Sequence, residues 1–288
     1  MMRTLPPGWA NGLTGVVIFA GSLPATRAAV MDIAPVFLTA ARATIAACLA
    51  LALLYGLRQR RPAREDWMPL IVVALGVVVG FPLLTALALQ QVSSAHAILF
   101  IGLLPLSTAV FAVLRGGERP RPLFWLFSVL GGFCVAGYAA MGGISMSFQG
   151  DMLMLLAIVV CGLGYAEGAR LSRKLGGWQV ICWALVVSLP VMLPLALLEA
   201  PSSVAHVGLP AWIGLIYVSL FSMLIGFVFW YRGLVQGGIA TVGQLQLLQP
   251  FIGLVLASLV MHEQVSAVML VVMTATMACV AGARKFAG

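Results

Sequence analysis

The polar and apolar positions along the chain follow neither the two-residue period of a strand nor the one-sided stripe of a soluble helix. Apolar runs of about 20 residues recur instead, each long enough to cross a bilayer as a helix. Short clusters of charge, glycine and proline break them. Segmenting there predicts ten spans: 10–31, 35–57, 67–90, 92–114, 123–141, 151–172, 178–199, 210–234, 239–261 and 265–283. No stretch between spans is long enough for a separate water-soluble domain. The polar stretch Gly142–Gly150 (GGISMSFQG) falls between the fifth and sixth spans and reads as a linker, dividing the chain into units 1–145 and 146–288.

Composition agrees with lipid as the solvent. Apolar residues make up 62% and charged residues 8% of the 288, and the mean hydropathy is +1.10. Soluble domains carry about 25% charged residues. A net charge of +8 could mark a nucleic-acid binder in a soluble chain, but here its placement points to topology. With the N-terminus inside, 14 of the 16 basic residues fall on the inner side, Arg27 falls outside and Arg42 lies within the second span. That asymmetry predicts both termini in the cytoplasm. The five cysteines, Cys48, Cys134, Cys161, Cys182 and Cys279, lie in apolar runs without metal-type spacing and read as packing residues. Arg3 followed by an apolar run looks superficially like a signal peptide. With no A-x-A site following, it is expected to stay as the first span.

An internal repeat carries the functional argument. Shifting positions 85–118 by 145 aligns them with 230–263 without gaps, and nine of the 34 pairs are identical. Among them are Gln91/Gln236, Ala95/Ala240, Leu103/Leu248, Pro105/Pro250 and Glu118/Glu263. Spans three and four thus correspond to spans eight and nine, so the repeating unit is five helices. An odd unit inserts its two copies in opposite orientations, a recurrent plan of secondary transporters with the substrate near the midplane.

Three stretches now carry a resemblance: PVFLTAAR (35–42), SSAHAILFIGLLPLSTAVFAVLRGGE (93–118) and GIATVGQLQLLQPFIGLVLASLVMHE (238–263). They resemble the P-x-x-x-x-x-x-R stretch of the second helix and the paired small-residue start, mid-helix proline and terminal glutamate of the EamA family, in the drug/metabolite transporter superfamily. Within it, size and sequence character resemble the YddG-type exporters of aromatic amino acids. The resemblance implies ten helices in two inverted repeats, a cavity lined by spans 1, 3, 4, 6, 8 and 9, and an amino-acid substrate.

Candidate site residues each have two readings. Pro105 and Pro250 should bend spans four and nine, freeing the carbonyls of Ile101 and Gln246 for a cavity, or are prolines simply tolerated in lipid. His96 starts a helical line with Leu99 and Leu103; the repeat-mates Thr241, Gln244 and Leu248 form the same face of span nine. His96 and Gln244 are the polar candidates for the cavity, against ordinary inter-helix hydrogen bonding. Gln246 and Gln249 point to another face, where packing is expected. Phe19 and Ser22 share a face of span one. With Phe81, Leu83, Phe100 and Tyr165 they are candidates for an apolar slot, or else core and lipid-facing packing. Arg42, about two turns into span two, could hold a substrate carboxylate, bond helix-end carbonyls or snorkel outward. Glu167 and Arg170 are spaced for an ion pair, with Glu167 and His96 the residual candidates for proton coupling. Glu118 and Glu263 are expected to cap the helices that follow them. The pairs Gly76/Gly80 and Gly164/Gly168 have close-packing spacing.

No nucleotide-binding, zinc-protease or serine-hydrolase motif occurs, so no cofactor, metal or catalytic group is expected. No basic cluster faces the bundle centre, which argues against phosphate-bearing substrates. The expectation is a monomeric, multi-pass inner-membrane exporter of small neutral metabolites, foremost aromatic and other apolar amino acids, working by facilitated alternating access. Its partners would be substrate and lipid, without nucleic acid. The alternatives are a proton-coupled exporter of cationic drugs or purines, and a membrane scaffold.

Overall fold

A computed structural model of the chain describes residues 8–116, 121–141, 147–237 and 243–286. Its described residues form helices and connecting turns, with no strand among them. In lipid every backbone N–H and C=O must be satisfied within the span, which leaves helices or closed barrels, and the ungapped apolar runs select helices. Seven helical stretches are long and apolar enough to cross a membrane, and three shorter apolar helices, Pro122–Val135, Leu245–Met261 and Ala267–Ala283, complete a ten-helix layout. Large apolar side chains such as Leu51, Leu75, Val129 and Val271 face outward, as a lipid-solvated surface requires.

Half of the spans are interrupted, and the interruptions build the interior. Span one is α1 (Trp9–Ala20) and α2 (Ser22–Val30), parted at Gly21. Span two is the unbroken α3 (Pro35–Gly56). Span three runs α4 (Trp67–Val73), a π-helical segment Ala74–Gly80 and α5 (Phe81–Ala88). Span four is α6 (Ser94–Ile101) and α7 (Leu104–Gly116), and span five is α8 (Pro122–Met141). Spans six and seven are α9 (Phe148–Leu175) and α10 (Gly177–Leu198). Span eight runs α11 (Leu209–Ile216), a second π-helical segment Tyr217–Ile225 and α12 (Gly226–Gly237). Span nine is a 3₁₀ turn Gly243–Leu248 and α13 (Gln249–Met261), and span ten is α14 (Ala267–Lys285).

The breaks repeat under the same shift of 145 as the residues. The π segment ending at Gly80 has its counterpart ending at Ile225, and α7 starting at Leu104 has α13 starting at Gln249. Each repeat proline is therefore the second residue of a fresh helix rather than the centre of a smooth bend. Its missing N–H costs nothing there, because the first turn has no partner for it. The interruption itself lies just before, at Gly102–Leu103 and in the 3₁₀ turn.

Glycine sets the closest helix contacts. A Cβ on Gly76 would lie 2.6 Å from the Val160 carbonyl oxygen and 2.9 Å from Gly164 Cα, so spans three and six touch backbone to backbone. Spans one and eight do the same, a Cβ on Gly233 meeting Gly12 N at 2.6 Å. Alanine plays this part on α3, whose Ala43, Ala46, Ala47 and Ala50 are fully buried on a helix packed against α10.

Candidate functional site

The interruptions of spans one, three, four, eight and nine converge with α3 and α9 on one internal cavity of about 40 Å³. On its apolar side, span one supplies Phe19, span three Phe81 and Pro82, and span eight Phe227. Phe227 meets Phe19 edge-on at 4.8 Å and the ring of Tyr165, from α9, at 6.1 Å. The polar side is built by Ser22, Ser222, Gln249 and Arg42. The hydroxyls of Ser22 and Ser222 are 2.6 Å apart, joining span one to the π segment of span eight.

Arg42 reaches this wall from α3. Burial leaves 5% of it accessible, so it does not snorkel. One Nη donates to the Val218 carbonyl at 3.4 Å and to Ser222 Oγ at 3.5 Å, while Nε is buried without a partner. Both bonds are long, and no carboxylate among the described residues pairs with it. Val218 lies in the π segment, where the i→i+5 register displaces carbonyls from their usual partners. A buried charge without a counter-ion is costly, so this guanidinium is a ready receptor for an anionic group.

Repeat symmetry accounts for part of the two-sided polarity. Val77 and Ser222 are mates under the 145 shift, as are Leu104 and Gln249, and all four line the cavity. At these two pairs the first repeat places an apolar side chain where the second places a polar one, while Ser22 and Arg42 of the polar side come from the first repeat itself. Two equivalent frames thus make one asymmetric site.

Of the residues singled out in the sequence, Phe19, Ser22, Phe81, Tyr165 and Arg42 come together here. Leu83 is half-buried outside this wall. His96, Leu99 and Phe100 are buried elsewhere, 3%, 2% and 1% accessible; the His96 ring packs between Phe100 and Tyr138. The line drawn from His96 to Leu103 assumes one continuous helix, whereas α6 ends at Ile101, before Leu103, and turns His96 toward Asp151 of α9. In span nine the 3₁₀ turn has 3.0 residues per turn rather than 3.6, so the face counted along an α-helix slips. Gln249 reaches the cavity in place of the expected packing role. Gln244 falls in that turn, its side chain outside the described residues; Gln246 is buried, its Nε2 unpartnered. Pro105 and Pro250 position Leu104 and Gln249, which precede them, at the cavity.

One further expectation holds and another changes. Glu167 does pair with Arg170, at 2.5 Å. Glu263, however, caps not the following helix but α6 of the other repeat, while Glu118 lies outside the described residues. His262, left-handed at φ 53°, turns the chain toward α6. Asp151, placed by sequence at the edge of span six, is buried one turn inside α9 and bonds His96 at 2.6 Å. Ser222 and Phe227 were missed, and Gln249 was set aside as packing. The repeat aligned at 85–118 gave no signal for the first two, whose mates Val77 and Pro82 lie outside that stretch and were not candidates themselves.

The EamA-like transporter family matches residues 7–139 and 148–283. The chain is 65% identical over 286 residues to the uncharacterized transporter YdeK of Bacillus subtilis (strain 168), covering 99% of this chain and 100% of that one. An uncharacterized transporter of Archaeoglobus fulgidus is 22% identical, covering 86% of this chain and 87% of its own length. A probable terminal-alkyne amino-acid exporter of Streptantibioticus cattleyicolor is 28% identical over 86% of this chain and 83% of its own. One crystal structure superposes with a TM-score of 0.67 at 20% identity, over 96% of this chain and 97% of that one, a likeness of fold. With two matched units, ten apolar helices and an interior cavity between repeats, the chain belongs to the EamA-like transporter family and is a multi-pass membrane transporter.

Proposed function

We propose that this transporter exports small zwitterionic amino acids, aromatic and other apolar ones foremost, by facilitated alternating access across a bacterial inner membrane, as a monomer with both termini cytoplasmic. The observation that carries this reading is Arg42, buried in the cavity wall without a carboxylate partner, opposite an aromatic slot. The substrate carboxylate would take the guanidinium and the Ser22–Ser222 hydroxyls, and its side chain the Phe19, Phe81, Tyr165 and Phe227 rings. Gln249 is the polar group left for the substrate ammonium. A volume of about 40 Å³ holds little more than a water, so substrate enters only when the helices part. The Streptantibioticus relative, a probable terminal-alkyne amino-acid exporter, supports an amino-acid cargo, and exit as its direction. A cationic drug would want a carboxylate in the wall, and none among the described residues lines it.

The test is efflux from proteoliposomes loaded with radiolabelled Thr, Met, Phe or Trp, with and without a pH gradient. Efflux of at least one above protein-free vesicles is expected, fastest for Phe and Trp. No efflux of any would overturn the reading. A second expectation concerns polarity. Ser222→Val together with Gln249→Leu copies the first repeat's residues into the second, and should slow that efflux about tenfold or more, as removing hydrogen-bond partners of charged groups does. Membrane abundance should stay unchanged, checked by quantitative blotting; an unaltered rate would mean that the polar wall does not read substrate.

A further inference from the structure

A groove at the end of the molecule that carries the N-terminus lies apart from the cavity. α3 packs on the π segment of span eight, where Arg42 meets Val218 and Ser222. Toward this end the two spans part and leave a space of about 550 Å³. One wall is Leu53 and Leu57 of α3, and the other is Val228 and Arg232 of α12. Each pair is spaced to share one face of its helix. Gly177 and Trp178, at the start of α10, close the side toward the protein. A Cβ on Gly177 would lie 2.4 Å from Tyr231 Cβ, so spans seven and eight are already in contact there. A Cβ on Gly56, beside Leu57, would meet nothing within 4 Å.

The groove is apolar along its length and cationic at its mouth. Arg232, near the end of α12, is exposed, and no acidic residue among the described ones lines the groove with it. Gln236, one turn further on, accepts from Asn11 Nδ2 at 2.7 Å through Oε1, which leaves its Nε2 hydrogens for a ligand. Arg58, which follows Leu57, and Arg173, three residues before Gly176, are also exposed at this end. The carboxylates of Glu65 and Asp66 are held by Lys174. The repeat supplies an internal comparison. Under the 145 shift Gly177 and Trp178 are mates of Asp32 and Ile33, which line a smaller pocket of about 120 Å³ at the opposite end together with Glu199. The same frame carries two carboxylates there and an arginine here, so the two ends present opposite charges.

We propose that this groove is a binding site for one anionic diacyl phospholipid. Its phosphate takes Arg232 and Gln236 Nε2 in charge-assisted bonds at headgroup level. One acyl chain runs along Leu57 and Leu53 toward the midplane, with Trp178 beside it at the interface. A basic pocket between spans recognises an anionic headgroup, and the apolar walls below it require a lipid rather than a free anion. The bound lipid joins span two to span eight, the two spans whose contact holds Arg42, and stabilises the protein by mass action. The site needs neither a cargo nor a direction of transport, so it stands or falls apart from the export reading.

Native mass spectrometry of the full chain in detergent, titrated with phosphatidylglycerol or with phosphatidylcholine of matched chains, reads the site. One retained phosphatidylglycerol is expected, with phosphatidylcholine bound about fivefold more weakly, the share of one arginine near a membrane surface. Arg232→Gln should remove that preference and Arg232→Lys should keep most of it. Val228→Trp fills the groove and should lower retention of both lipids. Arg121→Gln is the charge-matched control, set beside α8 and the end of α14, and should behave as wild type. Benzoylphenylalanine at position 57 locates the lipid without touching Arg232. In vesicles of both lipids its cross-links should recover phosphatidylglycerol above its share. Equal retention of the two lipids by the wild-type chain, an unchanged preference in Arg232→Gln, an equal loss in Arg121→Gln, or cross-links without that excess would each overturn the proposal. Displacement of phosphatidylglycerol by excess inorganic phosphate would overturn it too, making the groove a free-anion site.

Discussion

Arg42→Met should abolish amino-acid efflux while the protein still folds and inserts at wild-type abundance. Losing a charged partner for the carboxylate removes ~1.5–3 kcal/mol of binding, a factor of about 10 to 150. The effect should fall mainly on substrate affinity, visible as a loss of protection in a binding assay as well as of flux. Abundance should survive because the guanidinium makes only two long bonds and leaves Nε unsatisfied, and replacing a buried charge by an apolar side chain of similar length is often neutral or stabilising. Arg42→Lys separates charge from shape. An ammonium supplies the charge without the planar fork, so partial transport is expected. Full transport by Arg42→Met would remove Arg42 from the site. Loss of the protein from the membrane would assign it to structure instead.

The largest effect on stability should come from Gly76→Leu. A single added carbon already meets two backbone atoms of α9, the Val160 oxygen at 2.6 Å and Gly164 Cα at 2.9 Å. Backbone cannot rotate aside as a side chain can, so spans three and six must separate. Overpacking of this kind costs typically ~1–3 kcal/mol, occasionally more. A leucine adds three further carbons, so Gly76→Leu should belong to the costly cases and leave little monodisperse protein in detergent. Gly132→Leu is the matched control, because nothing lies within 4 Å of a Cβ there. Size-exclusion profiles and thermal melts of the two variants read the contrast. Equal behaviour would mean that these helices do not depend on the glycine contact.

The two predictions draw on features that differ in how openly the chain displays them. The Gly76/Gly80 spacing is visible as a motif, but nothing in the letters shows that its partner is Gly164. Arg42 stands out as a charge within an apolar run, yet three fates were open to it until Val218 and Ser222 appeared beside it. His96 illustrates the opposite error. A polar residue at moderate depth on a helical line looked like cavity lining, and the packing of α6 against α9 placed it against Asp151 instead. Gln249 was discounted for the same reason in reverse, since a 3₁₀ turn rotated it inward.

Ten spans, their orientation relative to one another and the five-helix repeat follow from residue order, because hydrophobic length, charge clusters and a constant offset are one-dimensional quantities. Lipid enforces them regardless of how the helices pack. Which side chains share a cavity is a property of helix phase, and phase is reset wherever a π segment, a 3₁₀ turn or a glycine interrupts the α-helical count. Those interruptions carry no reliable letter code, since lost backbone hydrogen bonds are replaced by tertiary partners such as Tyr217, which donates to the Ile18 carbonyl at 2.7 Å beside the Gly21 break. Packing alone therefore brought Arg42, Ser222 and Gln249 to one wall and sent His96 to another.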